Sequence, residues 1–379
     1  MAEHFLGDFT LLRPLYERSQ EETLQWIAKA HARVLSIKNS LGPQEEEKAY
    51  QEIKEKIDKV GLGKDKIQKR GVQLTDFLHE RWEEMHIYPI DQEKQGSGLK
   101  ERMEHYSLQA FQVLRQFYKN AALPPHLIHV TCTGYASPSP AQKLVSEKGA
   151  ATTVTHAYHM GCYASLPAIR MACGFCLGKK EPVDIVHTEM CSLHIRVGDS
   201  SMEQLVVQSL FADGFVKYSV SELPYNDSFA ILALHEEIIP LSTKSMTWQC
   251  EDWGFAMTLQ KDVPFKIAKA LPSFVDTLFS QASVDGAKKQ GAIFAIHPGG
   301  AKIIGQVAEH LHLCQGQVYH SWEALKNYGN MSSATLPHIW TKLLEDKHIA
   351  EGTYVVSLAF GPGLTISGSL FQKRSGACT

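Results

Sequence analysis

The chain has no apolar run approaching the roughly 20 residues that a membrane-spanning helix requires, because charges or prolines break every long one. A soluble protein is therefore expected. An excess of one charge is missing too. Lys and Arg total 38 against 41 Asp and Glu, leaving −3, so no global field attracts nucleic acid or an anionic membrane. Any polyanionic ligand has to be met by a local basic cluster instead. Low-complexity tracts and Pro- or Ser-rich linkers are absent, so the segments should share one core. No secretory leader is seen, which makes a reducing cytoplasm the expected setting.

The eight cysteines are Cys132, Cys162, Cys173, Cys176, Cys191, Cys250, Cys314 and Cys378. They form no dense framework of the kind that staples small secreted domains. Cys173 and Cys176 make a C-x-x-C, yet no second pair follows at zinc-site spacing. Both fall inside the apolar run Leu166–Leu177, which reads as a helix, so two packed core thiols are expected. Nothing calls for a metal or a redox cofactor.

What is present is ample for a large core: 379 residues, 44% of them hydrophobic. The first third is polar and helical. Glu21–Asn39 and Gln44–Val60 show helical apolar spacing with charged outer faces, and Leu99–Ala122 is a third long candidate. Between them Lys64, Lys66, Lys69 and Arg70 cluster after two glycines. On charge pattern alone this is a solvated loop.

From Leu127 onward β-rich runs alternate with helical segments. Leu127–Thr131, Ala151–Thr155, Val183–Thr188 and Phe215–Val220 are followed by Ser228–Leu234, Ala292–Ile296, Tyr354–Phe360 and Leu364–Phe371. That alternation predicts an α/β fold with covered sheets. Strand-rich stretches on either side of residue 222 point to two similar halves, 1–222 and 223–379, unaccompanied by a strong sequence repeat.

Three places offer chemistry. In Tyr158-His159-Met160-Gly161-Cys162 a strand ending near Thr155 turns into a helix beginning about at Cys162. Free N–H groups and the helix dipole there favour a thiolate. Taken alone, a buried structural cysteine is the commoner reading. In Ile293-Phe294-Ala295-Ile296-His297-Pro298-Gly299-Gly300 an apolar strand delivers His297 at its end, the usual place for a ligand-facing group, although a satisfied core histidine fits as well. In Tyr328-Gly329-Asn330-Met331-Ser332-Ser333, Asn330 on its own reads as a helix N-cap. Together the three residues are what thioester chemistry needs. A thiolate attacks the acyl group, an imidazole pairs with the thiolate and lowers its pKa, and His and Asn donate to the oxygen where charge develops.

The stretches Val130-Thr131-Cys132-Thr133-Gly134-Tyr135, Gly161-Cys162, Leu210-Phe211-Ala212-Asp213-Gly214, Lys261-Asp262-Val263-Pro264, His297-Pro298-Gly299-Gly300, Tyr328-Gly329-Asn330-Met331-Ser332-Ser333-Ala334 and Phe360-Gly361-Pro362-Gly363-Leu364-Thr365 occur in a specific order and spacing. In this the chain resembles the type III polyketide synthases, the chalcone-synthase-like family, from about Lys64 to Thr365. The resemblance implies a thiolase-like αβαβα five-layered sandwich, a homodimer, and a buried site reached by the pantetheine arm of coenzyme A. It implies Cys162 as nucleophile, His297 and Asn330 as the oxyanion pair, and Phe211 as a gatekeeper. Cys132 and Thr133 become cavity-wall residues, and Gly361, Pro362 and Gly363 the loop that shapes the floor. Lys64, Lys66, Lys69 and Arg70 become the patch that meets the nucleotide phosphates.

The departures concern the cavity. Met257 stands where the family's second gatekeeper is usually Phe, Trp248 where Gly is typical, and His194 where Thr is usual. Two bulky residues in the lining predict a smaller chamber and fewer extensions. The implied activity is loading of an acyl-CoA starter on Cys162 and decarboxylative condensation with malonyl-CoA, with no cofactor beyond the CoA thioesters. One alternative is a 3-oxoacyl carrier-protein synthase III-like enzyme working with an acyl carrier protein. The other is a non-catalytic condensing-fold partner subunit, which typically lacks the nucleophile or the His.

Overall fold

The computed structural model describes residues 3–375 except Lys94 and Lys180, so Cys378 lies outside the described residues. The chain opens with β1 (His4–Leu12), β2 (Tyr16–Ser19), α1 (Gln20–Asn39), α2 (Pro43–Val60) and β3 (Lys69–Val72). Then come α3 (Leu99–Phe117), β4 (His126–Thr131), α4 (Pro140–Lys148), β5 (Thr153–Tyr158) and α5 (Ser165–Cys176). Next are β6 (Val183–Met190), α6 (Met202–Leu210), β7 (Asp213–Ser221), β8 (Asp227–Ile238), β9 (Met246–Glu251) and β10 (Gly254–Leu259). The last are α7 (Val263–Gln281), β11 (Ile293–Ile296), α8 (Ala301–His310), α9 (Gln315–Tyr328), α10 (Thr335–Glu345), β12 (Tyr354–Gly361) and β13 (Thr365–Ser375).

Local chemistry explains several boundaries. Ser19 Oγ accepts from the Glu22 amide at 3.2 Å while the Glu22 carboxylate accepts from the Ser19 amide at 2.9 Å, a capping box that starts α1. Helix α3 stops at Phe117, short of the expected Ala122. Beyond Tyr118 the apolar spacing lapses, and Pro124 and Pro125 favour extended backbone before them. Strand β1 lies in the stretch read as helical, yet it becomes the middle of the sheet.

Nine strands form one sheet in the order β11-β12-β13-β8-β1-β7-β6-β4-β5. β1 and β8 pair antiparallel near the middle, with Phe5 opposite Ala230. From β4 through β6 and β7 to β1 the pairings are parallel, antiparallel, antiparallel. From β11 through β12 and β13 to β8 they are the same. The strand pattern thus repeats outward from the centre. Hydrogen bonding is continuous across that centre, so the two sheet layers of the expected sandwich form one ladder.

Alternation along each strand sends neighbouring side chains into different cores. Leu127 of β4 packs with α1, α2 and α3, whereas Ile128 and Val130 pack with α5 and α10. On β12, Val355 and Ala359 join that same central core, and Val356 and Leu358 pack with α7 and α8. Helix α5 touches β4, β6, β7 and also β13, and α10 touches β7 and β11. Outer helices, strands, central helices, strands and outer helices follow one another, which is the αβαβα layering.

Trp340 of α10 tests how tightly the central layer is packed. It is fully buried, donates to Ser357 Oγ at 2.8 Å, and meets Tyr218 and Phe371 edge-on. Trp340→Ala should cost about 3–5 kcal/mol in urea unfolding. A loss under about 1 kcal/mol would show that the layer collapses around the gap.

Candidate active site

Five residues of the site follow the C-terminal end of a parallel strand: Cys132 after β4, Cys162 after β5, Cys191 after β6, His297 after β11 and Pro362 after β12. That is where α/β folds present ligand-facing groups. β5 runs to Tyr158 and α5 starts at Ser165, both later than the sequence reading placed them, because the β4–β5 ladder continues to Thr131 opposite Tyr158. His159 at φ 59° and Gly161 at φ 94° turn the chain between them. A Cβ on Gly161 would stand 2.5 Å from Pro362 Cδ, so glycine is required for space as well as conformation. Cys132 Sγ donates to the Gly161 carbonyl and accepts from its amide, each at 3.0 Å.

Cys162 is buried, with its Sγ 3.8 Å from Ser332 Oγ. Burial pushes its thiol up to about 12; the Ser332 and Asn330 side chains favour the thiolate, and the Glu189 charge opposes it. The helix-end position was expected to give a thiolate. Burial outweighs that effect, and the resting group is a thiol. His297 is also buried, and burial alone depresses its imidazole to about 3. It is neutral, and neither ring nitrogen has a hydrogen-bond partner. The expected thiolate–imidazolium pair is therefore not the resting state, since each ion is penalised by desolvation. Two idle buried nitrogens on one ring call for an explanation in function.

Asn330 is fixed from both sides. Its amide donates to the Leu210 carbonyl at 3.0 Å, and its carbonyl accepts from the Ala212 amide at 2.8 Å. Its Oδ1 accepts from the Ser332 amide at 2.8 Å. Asn330 is therefore not the helix N-cap read from the sequence: its side chain closes a turn onto Ser332, while Met331 precedes the short helix Ser332–Ala334 and Ala334 precedes α10. With the oxygen engaged there, the amide NH2 is the end that favours the Cys162 thiolate.

Cys162, Cys132, Thr133, His194, Phe211, Trp248, Met257 and Pro362 line one cavity; His297, Asn330, Gly361 and Gly363 are not among its lining residues. Ser332, Cys191 and Arg70 also line it and were not foreseen there. Nor was Glu189, a fully buried carboxylate near the end of β6. It accepts from the Cys132 amide at 3.0 Å, from Thr133 Oγ1 at 2.9 Å and from Ser333 Oγ, and burial raises its pKa. An acid inside an otherwise buried strand was the available signal.

The basic cluster divides. Lys64, Lys66 and Lys69 are exposed, Lys66 lying 3.3 Å from Asp65 and Lys69 2.8 Å from Glu17. Arg70 does not belong with them. It is 1% exposed, and its Nη1 donates to the carbonyls of Gln208 at 2.7 Å and Phe211 at 2.8 Å. Its alternation with Lys69 on β3 turns it inward, where burial lowers its pKa to about 9.

A family model for the C-terminal domain of chalcone and stilbene synthases matches residues 231–374. Among curated proteins, "Probable polyketide synthase 1" of Dictyostelium discoideum is 32% identical over 259 residues, 65% of this chain and 8% of that protein. "Type III polyketide synthase C" of Arabidopsis thaliana is 25% identical over 341 residues, 84% of this chain and 88% of that one. The chain is thus similar to type III polyketide synthases over most of its length. It spans less than a tenth of the two Dictyostelium polyketide synthases it matches, 8% and 9% of their lengths. The fold agrees with that of the type III polyketide synthase domain of Steely1 from Dictyostelium, at TM-score 0.81 and 22% identity over 98% of this chain and 99% of that one. It agrees also with 1,3,6,8-tetrahydroxynaphthalene synthase from Streptomyces coelicolor, at TM-score 0.78 and 22% identity over 98% and 100% of the two chains. These are thiolase-fold proteins, and this chain shares that fold. No described helix is long and apolar enough to cross a membrane.

Glu189 is the carboxylate that opposes ionisation of Cys162. Glu189→Gln should move the pH profile of iodoacetamide alkylation at Cys162 to lower pH, because removing a nearby negative charge favours the thiolate. An unmoved profile would mean that Glu189 carries a proton in the wild-type protein.

Proposed function

We propose that this chain takes an acyl group from an acyl-CoA starter onto Cys162 and extends it with malonyl-CoA by decarboxylative Claisen condensation, releasing a short polyketide. What carries the reading is the combination of a cavity-lining thiol, the Asn330 amide that favours its ionised form, and a buried His297 with both ring nitrogens idle. Idle donors in a dry site interact strongly with charge that develops during reaction.

The steps assign each group. His297 takes the Cys162 proton as the sulfur attacks the starter carbonyl. The CoA thiolate leaves and recovers that proton. Malonyl-CoA then loses carbon dioxide, and the electron pair of the broken C–C bond becomes an enolate whose oxygen accepts from His297 and Asn330. The enolate carbon attacks the acyl-Cys162 carbonyl, Cys162 leaves as thiolate, and the extended chain remains on CoA for reloading or cyclisation. Phe211 and Met257 stand at the entrance, and Cys132, Thr133, His194, Trp248 and Pro362 shape the chamber. Lys64, Lys66 and Lys69 meet the nucleotide phosphates as charge partners. The enzyme acts as a homodimer, a reading supported by the open outer edge of β5 at the end of the sheet.

Mass spectrometry of the protein and its products, after incubation with malonyl-CoA and a panel of acyl-CoA starters, tests this directly. Acyl mass should appear on Cys162 and extended products in solution, and both should vanish in Cys162→Ala. Acyl label on Cys132 or Cys191 instead would overturn the assignment.

Trp248 should limit product length to one or two extensions. Its indole donates to the Cys132 carbonyl at 2.7 Å, which holds it across the lining. Trp248→Gly, assayed with the same starter, should shift the products toward longer chains. An unchanged distribution in a folded, active variant would remove Trp248 from the chamber wall.

A further inference from the structure

The wall residue Trp248 and the entrance residue Met257 pair across the β9–β10 hairpin, which is a two-stranded sheet separate from the main one. An isolated two-stranded hairpin is marginal in water, so its position depends on what it is tied to. Near Trp248 there are two ties. One is the indole N–H on the Cys132 carbonyl at 2.7 Å. The other comes from His159, whose Nε2 donates to the Trp248 carbonyl at 2.9 Å. A carbonyl can only accept, so this bond fixes the His159 tautomer.

His159 stands three residues before Cys162. Its own amide donates to the Thr131 carbonyl at 2.8 Å. Its imidazole lies beside the Trp248 indole, centroids 6.5 Å apart and planes 27° from parallel, and meets Phe255 edge-on at 5.1 Å. Cys132 in turn grips Gly161 through its sulfur, at 3.0 Å to both amide and carbonyl. The turn 159–161, Trp248 and Cys132 therefore form a closed ring of hydrogen bonds. His159 is not among the residues lining the cavity.

We infer that His159 is a positioning residue that sets the depth of the acyl chamber, by holding the Trp248 backbone against the turn that carries Cys162. The inference rests on the chamber assigned under the proposed function. A specificity set this way acts through placement of the wall, because His159 itself does not touch the acyl chain. Removing its bond leaves the indole N–H as the one remaining tie beside Trp248 and opens space behind the ring.

The test uses the whole chain and a probe that needs no turnover. Linear alkyl methanethiosulfonates of increasing length attach to Cys162 as its thiolate attacks the sulfenyl sulfur and methanesulfinate leaves. Intact mass and peptide mapping give the longest chain that still reacts readily. His159→Asn keeps a residue that tolerates positive φ but is too short to reach Trp248. His159→Gln keeps a reaching N–H donor. In His159→Asn the length cut-off should rise by about two methylenes or more, since a tightly packed wall admits no such change without moving. Products from malonyl-CoA should lengthen in parallel, and His159→Gln should keep the wild-type cut-off. An unchanged cut-off in folded His159→Asn overturns the inference, as does an equal loss of labelling at every chain length. Absence of any condensation by the wild type would overturn the proposed reaction instead, while the reagent cut-off still decides the role of His159.

Discussion

The approach of Gly161 to Pro362 is the contact on which the site depends. A Cβ at Gly161 would fall 2.5 Å from the proline ring, and one at Gly361 would fall 2.3 Å from Tyr163. Two glycines thus let the turn after β5 press against the turn after β12, which belong to opposite ends of the nine-stranded ladder. Strand pairing alone cannot bring those ends together. The central helices α5 and α10, which touch strands on both sides of the β1–β8 join, hold the halves face to face and make the glycine contact possible. Cys162 reaches Ser332, 170 positions later in the chain, because of that stacking.

Burial then decides the electrostatics. In a wet site, the turn geometry and the Asn330 amide would favour a thiolate, but here desolvation is the larger effect on Cys162 and the sole one on His297. Both groups rest neutral. In the proposed reaction, neutral partners suit a chamber that accepts an apolar acyl chain, because a standing ion pair would carry its own desolvation cost through every loading step. That reaction would defer the proton transfer that makes the ions until a thioester carbonyl is present to receive the charge.

Much of the fold was legible in the residues. Alternating apolar runs located eight strands, and Cys162, His297 and Asn330 stand between elements, as their motifs placed them. Sequence failed where tertiary context reversed a local signal. Lys69 and Arg70 are adjacent and both cationic, and only the β3 alternation turns one outward and the other into the cavity wall. β1 was hidden because its apolar spacing is interrupted by Gly7 and Asp8, at the place where its pairing with β7 shifts register. Glu189 escaped notice because its meaning comes from the amides and hydroxyls of Cys132, Thr133 and Ser333, which adjacency in sequence does not reveal.

The chamber wall differs in kind from its entrance. His194 uses both ring nitrogens, donating to the Thr133 carbonyl at 2.9 Å and accepting from the Phe255 amide at 3.1 Å. Burial keeps it neutral, with its pKa near 3. It has nothing left to offer a substrate and serves as shape alone. Trp248 is likewise committed through its indole N–H and its carbonyl. Phe211 and Met257 have no side-chain hydrogen bonds to break, and methionine rearranges easily around what it contacts. Under the proposed function, length is set by side chains that lose a hydrogen bond if they move, and entry by side chains that do not. In the proposed reaction, a chamber built this way admits different starters while limiting the space into which each of them grows.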